Sequence, residues 1–198
     1  MLIEQKLKDL GIEKLLIADD LPENINAAKE YFQGVDGLEV DYCDSGSLAI
    51  EKIQSKARVG EQYNFIMSDM EMESPESGLS VIREGFRNYT IGVIVTGRNY
   101  NQSDTAAHGP STTILPTVKS VNGRKNKPEV WQQLFEKSID HYEKQAPLRG
   151  ALERSKKYSG ESVNFRHRLE PVAAGIMPFL ITMYLETYQE IEQVINNE

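Results

Sequence analysis

The sequence predicts an α/β fold: a doubly wound five-stranded parallel sheet followed by a C-terminal α-helical extension. Three observations predict it. Short apolar runs alternate with amphipathic helical segments up to Thr96, the pattern of βαβ units joined by right-handed crossovers, and the regularity fails after it. Three of those runs end in polar, chemistry-bearing residues: Leu15-Leu16-Ile17-Ala18 in Asp19-Asp20, Phe65-Ile66-Met67-Ser68 in Asp69, and Val93-Ile94-Val95 in Thr96. Past Pro147 helical patterning takes over. The expected division is an α/β domain over 1–146 and a helical extension over 147–198.

Each element has a local reason. Leu2 to Leu10 carries apolar residues at helical spacing, so a short helix precedes the sheet. Lys14 to Ala18 is continuously apolar after its first residue and reads as a buried strand. Pro22 suits the first turn of a helix, and Glu23 to Phe32 continues it with Ile25, Ala28 and Phe32 on one face. Gly34 and Gly37 end it. Leu38 to Cys43 alternates apolar and acidic residues, as a more exposed strand does. Ser45 can cap a helix over Ser47 to Lys56, with Leu48, Ile50 and Ile53 expected to face inward. Tyr63 to Ser68, Leu79 to Phe86 and Ile91 to Val95 give a strand, a short helix and a strand. Asn99 to Ser111 has little to bury and reads as a loop. Thr112 to Val118 reads as a fifth strand, kept to the edge by Pro116. Val121 to Lys127 is a polar, basic loop, and Pro128 opens a strong helix carrying Val130, Trp131, Leu134, Phe135, Ile139 and Tyr142.

Composition removes several function classes. A net charge of −8 over 198 residues opposes general binding to a phosphate backbone, so no nucleic-acid partner is expected. Cys43 is the only cysteine, which excludes an intrachain disulfide and a Cys-rich zinc site. The opening Met1-Leu2-Ile3-Glu4-Gln5-Lys6 lacks the basic-then-apolar pattern of a secretory leader. The most apolar stretch, Val172 to Leu185, is too short to span a bilayer and contains Pro178. A cytoplasmic protein with no membrane partner is expected.

The carboxylates at the strand ends carry the chemistry. In an open parallel sheet, residues just past the strand C-termini converge on the ligand crevice. An acidic residue near a helix start is ordinary by itself, since the helix dipole favours it. Asp19, Asp20 and Asp69 together would repel one another unless a cation sat among them, and Mg2+ is the hard, oxygen-liganded choice.

This order of carboxylate pair, lone Asp and Thr resembles the response-regulator receiver domains, over about Ile12 to Tyr142. The resemblance implies a flavodoxin-like sheet. It implies that Asp69 accepts a phosphoryl group, that Asp19, Asp20, Asp69 and the backbone carbonyl of Glu71 hold Mg2+, and that Thr96 donates to a phosphate oxygen. It also implies a phosphate-pairing lysine after the fifth strand. Lys119 fits by its place at the strand end, and Lys127 fits by its Lys-Pro dipeptide. A histidine kinase or phosphotransfer protein is the implied partner, and the implied activity is that of a phosphoacceptor rather than a turnover enzyme. The sequence departs from the family in three places. The family's Met-Pro pair after the nucleophile becomes Met72-Glu73-Ser74-Pro75, the fourth helix is missing, and no Tyr or Phe lies between Tyr100 and Trp131.

Two other readings stay open at this point. One is a degenerate receiver that serves only as an interaction scaffold. The other is a haloacid-dehalogenase-like phosphohydrolase, which Ala18-Asp19-Asp20 with Asn24 resembles locally; Asp69-Met70-Glu71 lacks the Thr which that family's nucleophile motif carries. In the extension, Leu148 to Tyr158 is basic and Ser162 to Asn196 reads as one long helix, kinked at Pro171 and Pro178. His167, in Phe165-Arg166-His167-Arg168-Leu169-Glu170-Pro171, loosely resembles a histidine-kinase phosphoacceptor stretch, one residue short between His and Pro. An exposed histidine on an amphipathic helix is the plainer reading. Ile176, Phe179, Leu180, Met183, Tyr184 and Tyr188 form an apolar face that soluble monomers do not leave bare. A homodimer through this helix is the expected solution. In sedimentation, the full chain should be dimeric at micromolar concentration and a chain ending near Gln145 monomeric; a monomeric full chain would overturn this expectation.

Overall fold

The computed structural model describes residues 3–75, 77–97, 117–119, 124–144, 146 and 149–150, with the backbone alone for 117–119. One compact unit takes in 1–99 and 117–143. The expected loop from Asn99 to Ser111, most of the expected strand over Thr112 to Val118, and the helical extension but for 149–150, His167 included, lie outside the described residues.

The elements run in chain order as α1 (Ile3–Leu10), β1 (Lys14–Ala18), α2 (Pro22–Phe32), β2 (Glu39–Cys43), α3 (Gly46–Arg58), β3 (Phe65–Ser68), α4 (Ser77–Arg87), β4 (Ile91–Thr96), β5 (Thr117–Lys119) and α5 (Pro128–Lys144). The five strands are parallel, in the order β2-β1-β3-β4-β5. The chain therefore steps outward from β1 to β2, then returns past β1 to β3. This reversal puts α2 on one face and α3 and α4 on the other, and it opens a crevice between the C-terminal ends of β1 and β3.

Burial explains the strand sequences. β3 and β4 are buried along their whole length and β1 after its first residue, so they read as unbroken apolar runs. β2 is an edge strand and mostly half-exposed, which its alternating acidic residues had indicated. On one face, Phe32 and Phe135 meet edge to face with ring centroids 4.8 Å apart, and Tyr142 meets Phe65 at 5.2 Å. Lys6 adds ion pairs to Asp140 and Glu143 at 2.7 and 2.9 Å, tying α1 to α5. On the other face α4 lies close to the sheet. Gly85 and Gly92 allow this, since a side-chain carbon at either would meet the Ile66 or Ile82 side chain.

One expected helix face is corrected. In α3 the inward residues are Ala49 and Ile53, while Leu48 is 37% exposed and Ile50 half-buried. Ser45 does cap this helix, accepting from the Leu48 N–H at 3.3 Å.

Gly78, in the first turn of α4, fixes the distance between that helix and the end of β3. Its N–H donates to the Met70 carbonyl at 3.0 Å, and a Cβ there would overlap the Asp69 carbonyl oxygen. Gly78→Ala must therefore push α4 or the Asp69 backbone aside. We expect a loss of roughly 2 kcal/mol in urea denaturation, and an unchanged midpoint would show that the contact is not rigid.

Candidate functional site

Asp19 and Asp69 are held by the sheet itself. The Asp19 N–H donates to the Cys43 carbonyl at 3.0 Å, and the Asp69 N–H to the Ala18 carbonyl at 2.8 Å, each extending a parallel ladder by one residue. The register pairs Ala18 with Ser68, so the two aspartates leave neighbouring strands at the same level. Carboxylate oxygens of Asp19, Asp20 and Asp69 lie within 4.8 Å of one another. The sequence-predicted acidic residues are thus brought together. Thr96 ends β4, the strand beyond β3, and is buried.

Asp19 is fully buried. Its Oδ1 accepts from Asn24 Nδ2 at 2.9 Å and from the Leu21 N–H at 3.1 Å. Its Oδ2 makes no hydrogen bond and is compensated by charge, with Lys125 Nζ 2.6 Å away. The contact is an ion pair by proximity rather than an aligned hydrogen bond. The same ammonium is 2.8 Å from Asp69 Oδ1 and donates to the Val95 carbonyl at 3.0 Å.

Lys125 is the residue that sequence reasoning missed. Lys119 ends β5, opposite Thr96 in the register, and Lys127 is exposed at the start of α5. Among the described side chains, the lysine that reaches the carboxylates is Lys125, between these two in sequence and only 4% exposed. Its backbone is anchored from α5: the fully buried Trp131 donates its indole N–H to the Lys125 carbonyl at 2.7 Å. Arg124-Lys125-Asn126-Lys127-Pro128 is uniformly polar, so no apolar periodicity marks which side chain turns inward. The signal that could have found it is Trp131, a large buried side chain whose N–H needs a partner.

The electrostatics follow. Burial pushes the Asp69 carboxyl above the ordinary carboxylate range; Lys125 pulls it back and the Asp19 charge pushes it further up. Burial and then the Asp19 charge raise the Asp20 carboxyl too. With all ionised, three carboxylates face one ammonium, an excess of two negative charges. A divalent cation would cancel that excess, and the donors are all hard oxygens. The residues therefore fit Mg2+.

Glu73 supplies a third anchored carboxylate, outside the group of Asp19, Asp20 and Asp69. It accepts from the Gly46 N–H at 2.9 Å, the Ser47 N–H at 2.7 Å and the Ser47 hydroxyl at 2.9 Å, at the N-terminus of α3. Burial raises its carboxyl, but these donors together overcome that and bring it down to about 2.

No family model and no curated protein matches the chain. Among solved structures, it is similar to the signal receiver domain of an HD domain-containing protein from Pseudomonas fluorescens Pf-5. The identity is 9% and the TM-score 0.48, over 67% of this chain and 98% of that one. It is similar to the receiver domain of the histidine kinase CKI1 from Arabidopsis thaliana complexed with Mg2+ and BeF3−. There the identity is 17% and the TM-score 0.47, over 67% of this chain and 90% of that one. It is also similar to the response regulator domain of Thermotoga maritima CheB, at 13% identity and TM-score 0.44, over 65% and 97%. What the site can do follows from its own geometry. Among the described residues no helix is long and apolar enough to cross a membrane.

Removing the ammonium strands the buried Asp19 carboxylate and the partly buried Asp69 carboxylate. Lys125→Ala should therefore lose about 3 kcal/mol of stability at neutral pH. A carboxyl whose pKa is raised in the folded state carries its penalty above that pKa and sheds it on protonation. The gap to the wild type should therefore narrow as the pH falls through the raised Asp69 value. Denaturant titrations from pH 7 downward check both points; a gap independent of pH would contradict this electrostatic account.

Proposed function

We propose that the chain is a receiver-type signalling module that accepts a phosphoryl group on Asp69, with Mg2+ held by Asp19, Asp20, Asp69 and the Glu71 carbonyl. The observation that carries this reading is the Lys125 ammonium lodged between Asp19 and Asp69, at the C-terminal ends of adjacent strands. A phosphoryl group on Asp69 would bring new anionic oxygens to a carboxylate that this ammonium already touches.

In the transfer, an Asp69 carboxylate oxygen attacks phosphorus. The new O–P bond forms as the donor's bond to phosphorus breaks, and the leaving group departs with that electron pair. The sheet fixes the Asp69 backbone, so the nucleophile needs little reorganisation. Burial favours the reaction by excluding bulk water, and Lys125 and the Thr96 hydroxyl stabilise the transferred oxygens. When bound, Mg2+ supplies charge neutralisation to the transferring group. A histidine kinase or a phosphotransfer protein serves as donor. Output runs through protein–protein contacts or through dimerisation of the C-terminal helix.

Intact-mass spectrometry tests the reading. Incubated with Mg2+ and a small acyl phosphate, the wild-type chain should gain the mass of one phosphoryl group, and Asp69→Asn should not. Mg2+ should also raise the melting temperature by linkage, and Asp20→Asn should abolish that rise. A wild-type chain that never gains the group leaves only the scaffold reading, and steady turnover of phosphate esters would favour the hydrolase.

A further inference from the structure

We propose that Glu73 is a positioning residue for the cation site: it latches the segment after Asp69 to the N-terminus of α3. This rests on the receiver reading, in which the Glu71 carbonyl is a metal ligand. A backbone ligand on a loop is only as good as whatever holds the loop. The segment is tied at both ends, by the Gly78 N–H on the Met70 carbonyl at 3.0 Å and by the Ser74 N–H on Ser77 Oγ at 2.9 Å. Its tie across to α3 is the Glu73 carboxylate, with two backbone N–H groups and one hydroxyl. Glu73 is two residues from Glu71, at most about 7 Å of chain.

Two observations separate a latch from a mere helix cap. First, α3 already has a cap of its own: Ser45 Oγ accepts from the Leu48 N–H, and the Ser45 carbonyl from Ala49. Second, the α3 terminus is shaped for the incoming residue. A Cβ at Gly46 would sit 3.1 Å from Glu73 Oε1, 3.1 Å from Ser77 Cβ and 3.3 Å from Met72 Cε, so glycine leaves the room that the loop occupies. The arrangement also brings the Glu73 charge within electrostatic reach of Asp20. A test must therefore separate tethering from charge.

Glu73→Asp does so, because it keeps the charge and shortens the reach by one methylene. Mg2+ affinity of the full chain would be measured by titration calorimetry for the wild type, Glu73→Asp, Glu73→Ala and Ser45→Ala. Amide exchange of residues 70–75 would be followed without metal. The latch predicts that both Glu73 variants weaken Mg2+ binding about tenfold and speed exchange over 70–75. Ser45→Ala should lower the melting temperature and leave the affinity alone. If Glu73→Ala fails to fold, Ser47→Ala removes its side-chain bond to Glu73 and should give a smaller shift of the same sign. A wild-type affinity in Glu73→Asp overturns the latch, and so does an affinity loss in Ser45→Ala equal to that of Glu73→Ala. A wild-type chain that takes up no Mg2+ overturns the receiver reading and the latch with it.

Discussion

The Lys125 ammonium lies 2.6 Å from Asp19 and 2.8 Å from Asp69, and much of the fold can be understood as what makes those two distances possible. Burying an ammonium and a carboxylate beside a second, partly buried carboxylate is costly unless each is well compensated. The compensation comes from four directions. The sheet ladders hold the Asp19 and Asp69 backbones. Asn24 and the Leu21 N–H satisfy Asp19 Oδ1 from the start of α2. The Val95 carbonyl accepts from the ammonium, and Trp131 of α5 anchors the lysine's backbone. Residues as far apart in sequence as Asp19 and Lys125 thus meet at one end of the sheet, and the packing of α5 is part of the site.

That arrangement is still short of positive charge. Asp20 and Asp69 are both pushed toward protonation by burial, and Asp19 adds to the repulsion. A structure seeking stability alone would put apolar residues there. On the proposed receiver reading, a divalent ion would relieve that imbalance and would offset the further negative charge that a phosphoryl group brings.

The sheet was legible in the sequence because buried parallel strands leave unbroken apolar runs, and their C-terminal ends were marked by Asp19, Asp69 and Thr96. Two details were not legible, for physical reasons. In α3 the inward face runs through Ala49 and Ile53, four residues apart, and leaves Leu48 outside; hydrophobicity alone favours the larger side chain. Among Lys119, Lys125 and Lys127, charge and composition are degenerate. The Trp131 indole, six residues further on, anchors the Lys125 backbone, and composition alone does not show which lysine it holds. Glu73 was hidden because its partners, Gly46 and Ser47, lie far away in sequence.

The most direct test of this account is a double-mutant cycle between Lys125 and Asp19, using Lys125→Met and Asp19→Asn, each stability taken from urea denaturation in metal-free buffer. A buried pair in mutual contact should show a coupling of about 1–3 kcal/mol. A coupling near zero would mean that the ammonium does not hold the strand ends together, and would contradict the account.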